Sequence, residues 1–196
     1  MINLNGVKII LGSASPRRKT LLQDLNIPFE IRVSDCNESE IKEQNVIELS
    51  KKTTLLKNNT LLKNSKDNEV IITADTIVYY KDTILGKPKT LEDAKEYLKF
   101  LSGKTHKVIT SVCISNKLKK DLFYSITKVT FSNLSEEDIN YYVNTYKPLD
   151  KAGAYGIQEW IGTIGIEKID GDYQTVIGLP TQLLYKHLKD FLKDVN

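Results

Sequence analysis

Side chains that bind metals or change redox state are scarce in this chain, which has only two cysteines and two histidines among its 196 residues. Cys36 and Cys113 lie far apart without metal-ligand spacing, so we expect unpaired, at least partly buried thiols in a reducing compartment, by default the cytoplasm. His106 and His187 do not form a ligand pair, and no serine or cysteine forms a recognisable relay with either of them. The sequence therefore gives no support to a cysteine–histidine metal site or to covalent catalysis.

Long apolar runs and a strong net charge are also missing. No segment reaches the roughly 18 uninterrupted apolar residues that a membrane helix needs, and we expect no targeting segment because no basic region precedes an apolar run. The formal net charge of +3 is too small to indicate nucleic-acid binding, and the lysines at 117, 119 and 120 fit a solvated loop. We therefore expect a globular protein that binds neither membrane nor nucleic acid.

The most informative stretch that is present covers residues 9–18. An apolar, strand-like run stops at Gly12, and Pro16 behind Ser15 fits the first helical position after an N-cap. A helix N-terminus favours negative charge, and arginine side chains match phosphate oxygens in pairs. This turn predicts a phosphate site with Ser13, Ser15, Arg17 and Arg18 as candidates. The alternative is an ordinary strand–helix turn in which Ser15 caps the helix and both arginines lie in solvent.

The order of periodic segments predicts a mixed α/β fold, as one domain or two closely fused lobes. We expect strands at 7–11, 29–33, 70–80, 106–115 and 121–131, with further β-like runs at 161–169 and 173–178. We expect helices from 16, at 46–62, 90–101 and 135–146, and from 180 onward. The consecutive β segments in the second half argue against a purely alternating, doubly wound fold. The helix at 46–62 is suggested by apolar residues, namely Ile47, Leu49, Leu55, Leu56, Leu61 and Leu62.

Asp75 interrupts an almost continuous apolar and β-branched strand. A carboxylate in such a strand costs several kcal/mol unless it is paired or binds a cation. We therefore interpret Asp75 as a reacting group. The alternative is an aspartate that caps the turn at the end of the strand.

Two other residues could join Asp75 around a phosphate. Glu38 lies in an acidic loop and could hold a divalent cation with Asp75, since hard oxygen ligands suit Mg²⁺. Lys87, between Gly86 and Pro88, could neutralise a phosphate, although an ordinary turn lysine fits the pattern equally well.

A glycine- and alanine-rich segment at 150–158 permits close approach of a ligand to the backbone. Lys151 and Gln158 are its candidate binding residues, and Tyr155 offers a stacking face. The amide of Gln158 can donate and accept a hydrogen bond at once, which suits the imide edge of uracil or thymine. A packed glycine turn with a surface glutamine is the alternative.

Taken together, these segments resemble the successive motifs of the Maf family, nucleoside triphosphate pyrophosphatases first named for an effect on septum formation. The matching residues are 13–18, 74–78, 86–88, 101–106, 150–158 and 173–180, in order along nearly the whole chain. The resemblance implies an elongated, two-lobed fold like that of inosine triphosphate pyrophosphatases, with a central mixed sheet and a cleft between the lobes. It also implies a homodimer.

The resemblance further implies hydrolysis of a nucleoside triphosphate to the monophosphate and pyrophosphate with Mg²⁺ or Mn²⁺. Asp75 falls on the family's catalytic carboxylate and Glu38 on an acidic position associated with the metal. Residues that fall on positions for the phosphates or the base are Ser13, Arg17, Arg18, Thr76, Lys87 and Gln158. Thr76 and Gln158 match the branch that prefers dTTP and UTP.

Two departures from the family pattern bear on the site. The family usually has a lysine where this chain has Thr53, so Lys52 or Lys57 substitutes for it or the contact is lost. Glu159 and Trp160 follow Gln158, where a glycine is usual, which could reshape the base pocket.

Our hypothesis is direct attack of water on the α-phosphorus, with Asp75 orienting and deprotonating that water, alone or through the metal. One alternative is a pyrophosphatase for 7-methyl-GTP or modified pyrimidine nucleotides. Another is a nucleotide-binding regulator of cell division whose hydrolysis is vestigial.

Overall fold

The computed structural model describes residues 2–4, 6–38 and 41–193, and these ranges form strands and helices in mixed order. The strands are β1 (Lys8–Leu11), β2 (Phe29–Ile31), β3 (Glu69–Tyr80), β4 (Thr83–Leu85), β5 (Thr105–Ser115), β6 (Lys120–Phe131) and β7 (Ile166–Asp170). The helices are α1 (Pro16–Gln23), α2 (Val46–Leu62), α3 (Leu91–Leu101), α4 (Glu136–Tyr146), α5 (Trp160–Gly165), α6 (Tyr173–Ile177) and α7 (Thr181–Lys193), with a 3-10 turn at Ala152–Ala154.

Within the described ranges the strands form a mixed, seven-stranded sheet in the order β2-β1-β3-β5-β6-β7, and β4 pairs with β3. Strand β1 runs parallel to both β2 and β3, whereas the pairs β3–β4 and β6–β7 are antiparallel. The mixed α/β class and the mixed sheet are confirmed. None of the described helices is both long and apolar enough to cross a membrane.

The chain divides into two compact units. Unit 1 comprises residues 1–75, 110–125 and 178–196, and unit 2 comprises residues 76–109 and 126–177, so the boundaries fall inside β3, β5 and β6. Whether these units are the lobes of one family domain with a cleft stays a prediction.

The core of unit 1 forms around β1 and the first half of β3, which are buried runs of isoleucine, leucine and valine. Burial on both faces suits the parallel pairing of β1 with β3. Both cysteines are unpaired, as predicted. Cys113 is buried, and burial raises the pKa of its thiol to about 12, so it is an unreactive core residue.

The core of unit 2 packs α3 and α4 with the glycine-rich segment at 152–157. Thr90 and Ser135 cap α3 and α4 through reciprocal hydrogen bonds with Asp93 and Asp138, as the spacing predicts. Leu98, Tyr142 and Phe131 are among the side chains that this core buries.

Three details of the sequence prediction are wrong. The β-like run at 173–178 is helix α6, because the carboxylate of Asp172 accepts hydrogen bonds from the Thr175 amide and hydroxyl at 2.7 and 2.6 Å and so begins a helical turn. The run at 161–169 is α5 followed by β7. Gly162 permits this helix, since a Cβ there would lie 1.8 Å from the Ile157 carbonyl oxygen. Strand β2 ends at Ile31, two residues before the predicted end at Val33.

The helix at 46–62 is confirmed, but the apolar residues that suggested it form little of its buried side. The buried residues of α2 are Ser50, Thr53, Thr54, Asn58 and Leu61. Thr54 donates to the carbonyl of Ser111, and the hydroxyl of Thr73 donates to the carbonyl of Thr54. Helix α2 therefore packs by specific hydrogen bonds, which fix its position more tightly than an apolar contact would.

Candidate active site

The strand–turn–helix at residues 8–23 has the local structure that the sequence predicts. Ser15 is the N-cap of α1 and accepts a hydrogen bond from the Arg18 amide, and Pro16 occupies the first turn. The side chain of Ser13 accepts from the Ser15 amide at 3.2 Å. Gly12 is required before this turn because a Cβ there would lie 2.6 Å from side-chain atoms of Leu61 and of Thr73.

Arg18 is fixed by this turn rather than free in solvent. Its Nε donates to the Gly178 carbonyl at 2.8 Å, and its Nη1 donates to the hydroxyl of Ser13 at 3.4 Å. Burial lowers the pKa of the Arg18 guanidinium, and the nearby Asp75 carboxylate opposes that shift. The alternative in which both arginines are solvated therefore does not hold for Arg18.

The parallel register places Asp75 of β3 near the turn that follows β1. Leu11 at the end of β1 pairs with Ile72 on β3, and the Gly12 amide donates to the Ile72 carbonyl at 2.7 Å. Asp75 follows three residues later, inside β3 rather than at its end, so it does not cap a turn at the end of the strand.

Helix α2 holds Asp75 through both its backbone and its side chain. The hydroxyl of Ser50 donates to the Asp75 carbonyl at 3.3 Å, and Lys57 Nζ donates to Asp75 Oδ1 at 2.9 Å. Ser50 and Lys57 are seven residues apart, so they lie on one face of the helix. The carboxylate in the apolar strand is thus paired, as its cost requires.

Lys57 also contacts Glu38, whose Oε2 lies 3.1 Å from the same Nζ. The Lys57 side chain is only 13% exposed, so this ammonium is largely withdrawn from water and shared by the two carboxylates. Lys52 instead pairs with Glu43 and is 51% exposed. Of the two lysines that the sequence left open, Lys57 is the one beside Asp75.

The two carboxylates form a plausible ligand pair for a divalent cation. Asp75 and Glu38 converge on one positive charge, and Mg²⁺ is commonly held by one or two carboxylates together with substrate phosphates and water. Among the described residues no cluster of three or more histidine, cysteine or acidic side chains offers a cage of protein ligands. Two carboxylates alone suit an ion that keeps water or phosphate oxygens as its other ligands.

In unit 2, Lys87 lies next to the glycine-rich segment. The Gly86 carbonyl accepts a hydrogen bond from the Gly153 amide at 3.1 Å, which joins the loop after β4 to the 3-10 turn. Gly153 has a φ of +70°, and a Cβ there would lie 3.0 Å from the Val78 side chain, so both the backbone and the packing require glycine. Lys87 itself is exposed.

Lys151 and Glu159 form a network with Asp150 and Tyr142. Lys151 Nζ lies 2.8 Å from Asp150 Oδ1 and 3.2 Å from Glu159 Oε1, and its side chain is 9% exposed. The Tyr142 hydroxyl donates to Glu159 Oε2 at 2.5 Å and accepts from the Gly156 amide at 3.0 Å. Burial, followed by this bond to Glu159, raises the pKa of the Tyr142 phenol.

Tyr155 belongs to the core instead of offering an open stacking face. Its hydroxyl lies 2.7 Å from His106 Nε2, and its ring packs edge-on against Phe131 with centroids 5.0 Å apart. Burial lowers the pKa of His106 to about 4, so the imidazole is neutral at physiological pH. His106 thus has a structural role in fixing this segment.

The predicted site residues divide between the two units. Unit 1 contains Ser13, Ser15, Arg17, Arg18, Glu38 and Asp75, and unit 2 contains Thr76, Lys87, Lys151 and Gln158. Thr76 directly follows Asp75 on β3 and is partly buried, and the exposed side chain of Gln158 makes no hydrogen bond to any described residue. Roles of these residues toward a substrate stay predictions.

The sequence did not predict Ser50, which holds Asp75, or Tyr142, which holds Glu159. Ser50, which binds the Asp75 backbone, belongs to a polar face at helical spacing on α2. That periodicity was a usable signal. Tyr142 carried no such signal, because it occupies an ordinary apolar position of α4 and its hydroxyl partners lie 14 and 17 residues away.

Known proteins are similar to this chain along nearly its whole length. The family model described as "Maf-like protein" matches residues 8–191. A protein of Flavobacterium johnsoniae named dTTP/UTP pyrophosphatase is 46% identical, over 94% of this chain and 95% of its own. Proteins of the same name from Christiangramia forsetii and Bacillus cereus are each 47% identical, over 96% of this chain and 96% and 97% of theirs.

A solved structure of the Staphylococcus aureus Ham1 protein is a more distant match. It is 15% identical with a TM-score of 0.48, and the match covers 96% of this chain and all of that one.

Proposed function

This chain belongs to the Maf family, and we propose that it hydrolyses dTTP and UTP to the nucleoside monophosphate and pyrophosphate. Relatives 46–47% identical over nearly their full length carry the name dTTP/UTP pyrophosphatase, which supports this substrate class. We extend the proposal to modified pyrimidine nucleotides with the same imide edge.

The observation that carries the proposal is the arrangement in unit 1. The Ser13–Arg18 turn supplies a helix N-terminus and guanidinium groups, and Asp75 lies on the neighbouring strand β3, three residues beyond the partner of Leu11. Arg18 is close enough to Asp75 for the carboxylate to act on the pKa of the guanidinium. Positive groups can hold a polyphosphate, and a nearby carboxylate can accept the proton of an attacking water.

Each residue then has a defined task. Asp75 orients the water that attacks the α-phosphorus and accepts its proton, and pyrophosphate leaves. Arg17, Arg18 and the start of α1 hold the charge that develops on the phosphate oxygens. A phosphate contact of Lys87 stays a prediction. Lys57 keeps the Asp75 carboxylate in one orientation.

We propose Mg²⁺ or Mn²⁺ as the cofactor, with Glu38 and Asp75 as its protein ligands. When bound, such an ion supplies charge neutralisation for the phosphates. The withdrawn ammonium of Lys57 between these two carboxylates supports the idea that their position suits positive charge.

Gln158 is the proposed reader of the base, because its amide can pair with the O4 and N3–H groups of uracil and thymine. A 7-methyl-GTP pyrophosphatase is the second candidate within the enzyme class, and a substrate panel separates the two. A vestigial regulator is the candidate of another class, and its support was the off-pattern helix, in which Lys57 lies 2.9 Å from Asp75 Oδ1. A homodimer, a cytoplasmic location and a role in septum formation stay predictions.

The test is pyrophosphate release from dTTP, UTP, CTP and 7-methyl-GTP, with Mg²⁺ or Mn²⁺ and with EDTA. We expect turnover of dTTP and UTP that EDTA abolishes. Preferential turnover of 7-methyl-GTP would refute the pyrimidine assignment, and tight binding of dTTP without pyrophosphate release would refute the enzyme. Unchanged turnover in EDTA would refute the cofactor alone.

A further inference from the structure

We propose that Glu159 is a specificity-determining residue that fixes the orientation of the Gln158 amide for base recognition. This inference rests on the proposed function, in which Gln158 reads the pyrimidine. Glu159 acts through its neighbour and touches neither the phosphates nor the reacting atoms.

The carboxylate of Glu159 is held on two sides. Tyr142 donates to one oxygen at 2.5 Å, and Lys151 Nζ lies 3.2 Å from the other. Tyr142 is fully buried, and the side chains of Lys151 and Glu159 are 9% and 20% exposed. Two donors in such an environment fix the position of a carboxylate much more tightly than solvent contacts would.

The same contacts hold the backbone on both sides of Gln158. The Gly156 amide donates to the Tyr142 hydroxyl at 3.0 Å, and the Glu159 amide donates to the Gly156 carbonyl at 2.9 Å. Glu159 is also the N-cap of α5, yet its side chain does not cap that helix. The carboxylate instead binds Tyr142 and Lys151. Through Tyr142 it is linked to the Gly156 amide on the other side of Gln158.

The Glu159 carboxylate also lies close to the Gln158 amide nitrogen. An ideal Cβ at Gly156 would lie 2.8 Å from Glu159 Oε2 and 3.1 Å from Gln158 Nε2, so the two atoms lie within about 6 Å of each other. The negative charge favours the amide rotamer that directs the NH₂ group toward it and the carbonyl oxygen away. A Cβ at Gly156 would press on the ends of both side chains.

Amide orientation matters because of base chemistry. Uracil and thymine present an acceptor at O4 and a donor at N3, whereas cytosine presents a donor at N4 and an acceptor at N3. An amide that rotates freely pairs with either pattern by exchanging its oxygen and nitrogen. An amide held in one orientation pairs with one pattern and leaves polar groups unpaired against the other, which costs affinity.

The experiment compares kcat and KM for UTP and CTP in the wild type, Glu159→Gln and Glu167→Gln. Glu159→Gln retains the shape of the side chain and removes its charge. Glu167 is an exposed glutamate on β7 in the same unit, so Glu167→Gln is a matched control for the loss of one negative charge. We expect Glu159→Gln to lower the UTP-to-CTP ratio of kcat/KM about tenfold, mainly through KM, which corresponds to about 1.4 kcal/mol of discrimination. Glu167→Gln is expected to leave the ratio unchanged.

An unchanged ratio in folded Glu159→Gln would overturn the inference even if its thermal stability falls, because a purely structural role moves stability alone. If Glu159→Gln does not fold, Tyr142→Phe decides in the same assay, since it removes the hydroxyl that joins Glu159 to Gly156 and is expected to lower the same ratio. A wild type that releases no pyrophosphate from UTP or dTTP would instead refute the proposed function. The two failures are therefore distinguishable.

Discussion

Replacing Lys57 by methionine tests the central contact of the site. The substitution retains most of the aliphatic stem and removes the ammonium that lies 2.9 Å from Asp75 Oδ1 and 3.1 Å from Glu38 Oε2. The two carboxylates are then left opposite each other without a positive charge between them. We expect the protein to lose both stability and activity.

The magnitude follows from these distances. Both carboxylate oxygens lie within 3.1 Å of one atom, so they are at most about 6 Å apart, and two like charges at that separation repel by about 3 kcal/mol at an effective dielectric constant of about 20. Glu38 is 51% exposed, so solvent screening lowers this value, whereas Asp75 also loses a charged hydrogen bond. We therefore expect Lys57→Met to lower the free energy of unfolding by roughly 2 kcal/mol.

The assay combines urea unfolding with pyrophosphate release from dTTP. Lys52→Met is the matched control, because it removes the same charge from the same helix at a residue that is 51% exposed and pairs with Glu43. We expect that control to change the unfolding free energy by less than about 0.5 kcal/mol. Loss of a fixed charge beside the reacting carboxylate is expected to lower kcat/KM about 100-fold in Lys57→Met, and Lys57→Arg is expected to restore part of it.

The reasoning is refuted if Lys57→Met matches Lys52→Met in both measurements. Normal stability with lost activity would refute only the expected loss in the free energy of unfolding. Lost stability with full activity in the folded fraction would show that Lys57 supports the fold and does not position Asp75 for catalysis.

Three further predictions concern the proton acceptor Asp75, the stability of the protein at acidic pH and the packing at Gly12. Asp75→Asn keeps the shape and removes the proton acceptor, so kcat for dTTP should fall about 100-fold or more; turnover within a few-fold of the wild type would contradict its role. Arg32 forms a paired contact with Glu69 at 2.8 and 2.9 Å and lowers the pKa of that carboxyl to about 2. Because this pKa is depressed, the stabilisation is present above the ordinary pKa of 4.5 and is lost as the pH falls from there toward 2. Arg32→Met should therefore lower the free energy of unfolding at pH 7 by about 2 kcal/mol. It should also weaken the fall of this free energy between pH 4.5 and about 2, as measured by urea unfolding, and an unchanged pH dependence would count against the pair. Gly12→Ala places a Cβ 2.6 Å from the Leu61 side chain, so calorimetry should show a loss of about 2 kcal/mol, and a neutral result would contradict this tight packing.

Local sequence patterns predicted where helices begin when the capping residues are close neighbours along the chain. Ser15 with Pro16 fixed the start of α1, and Thr90 with Asp93 fixed the start of α3, because capping depends on residues within one turn. At 173–178 the β-branched residues suggested a strand, although the capping signal there is equally local. The Asp172 carboxylate accepts hydrogen bonds from the amide and hydroxyl of Thr175, and a helix begins there.

The buried side of α2 shows why apolar periodicity alone was insufficient. Its leucines suggested the helix, yet the residues that it buries are mostly serine, threonine and asparagine. A buried polar group without a partner is costly, and the partners of Thr54 and Ser50, the carbonyls of Ser111 and Asp75, come from distant strands. No pattern within α2 identifies them.

The sequence by itself determined the mixed α/β class, the capped turn before α1 and the presence of a carboxylate in an apolar strand that had to be paired. Each of these follows from residues that are neighbours along the chain or from the cost of burying charge. Only the tertiary structure decided that Lys57, and not Lys52, is the partner of Asp75, and that Glu159 is bound by Tyr142 and Lys151. The physical reason is that ion pairs and hydrogen bonds act over a few ångströms in space, and the fold alone determines which distant side chains come within that range.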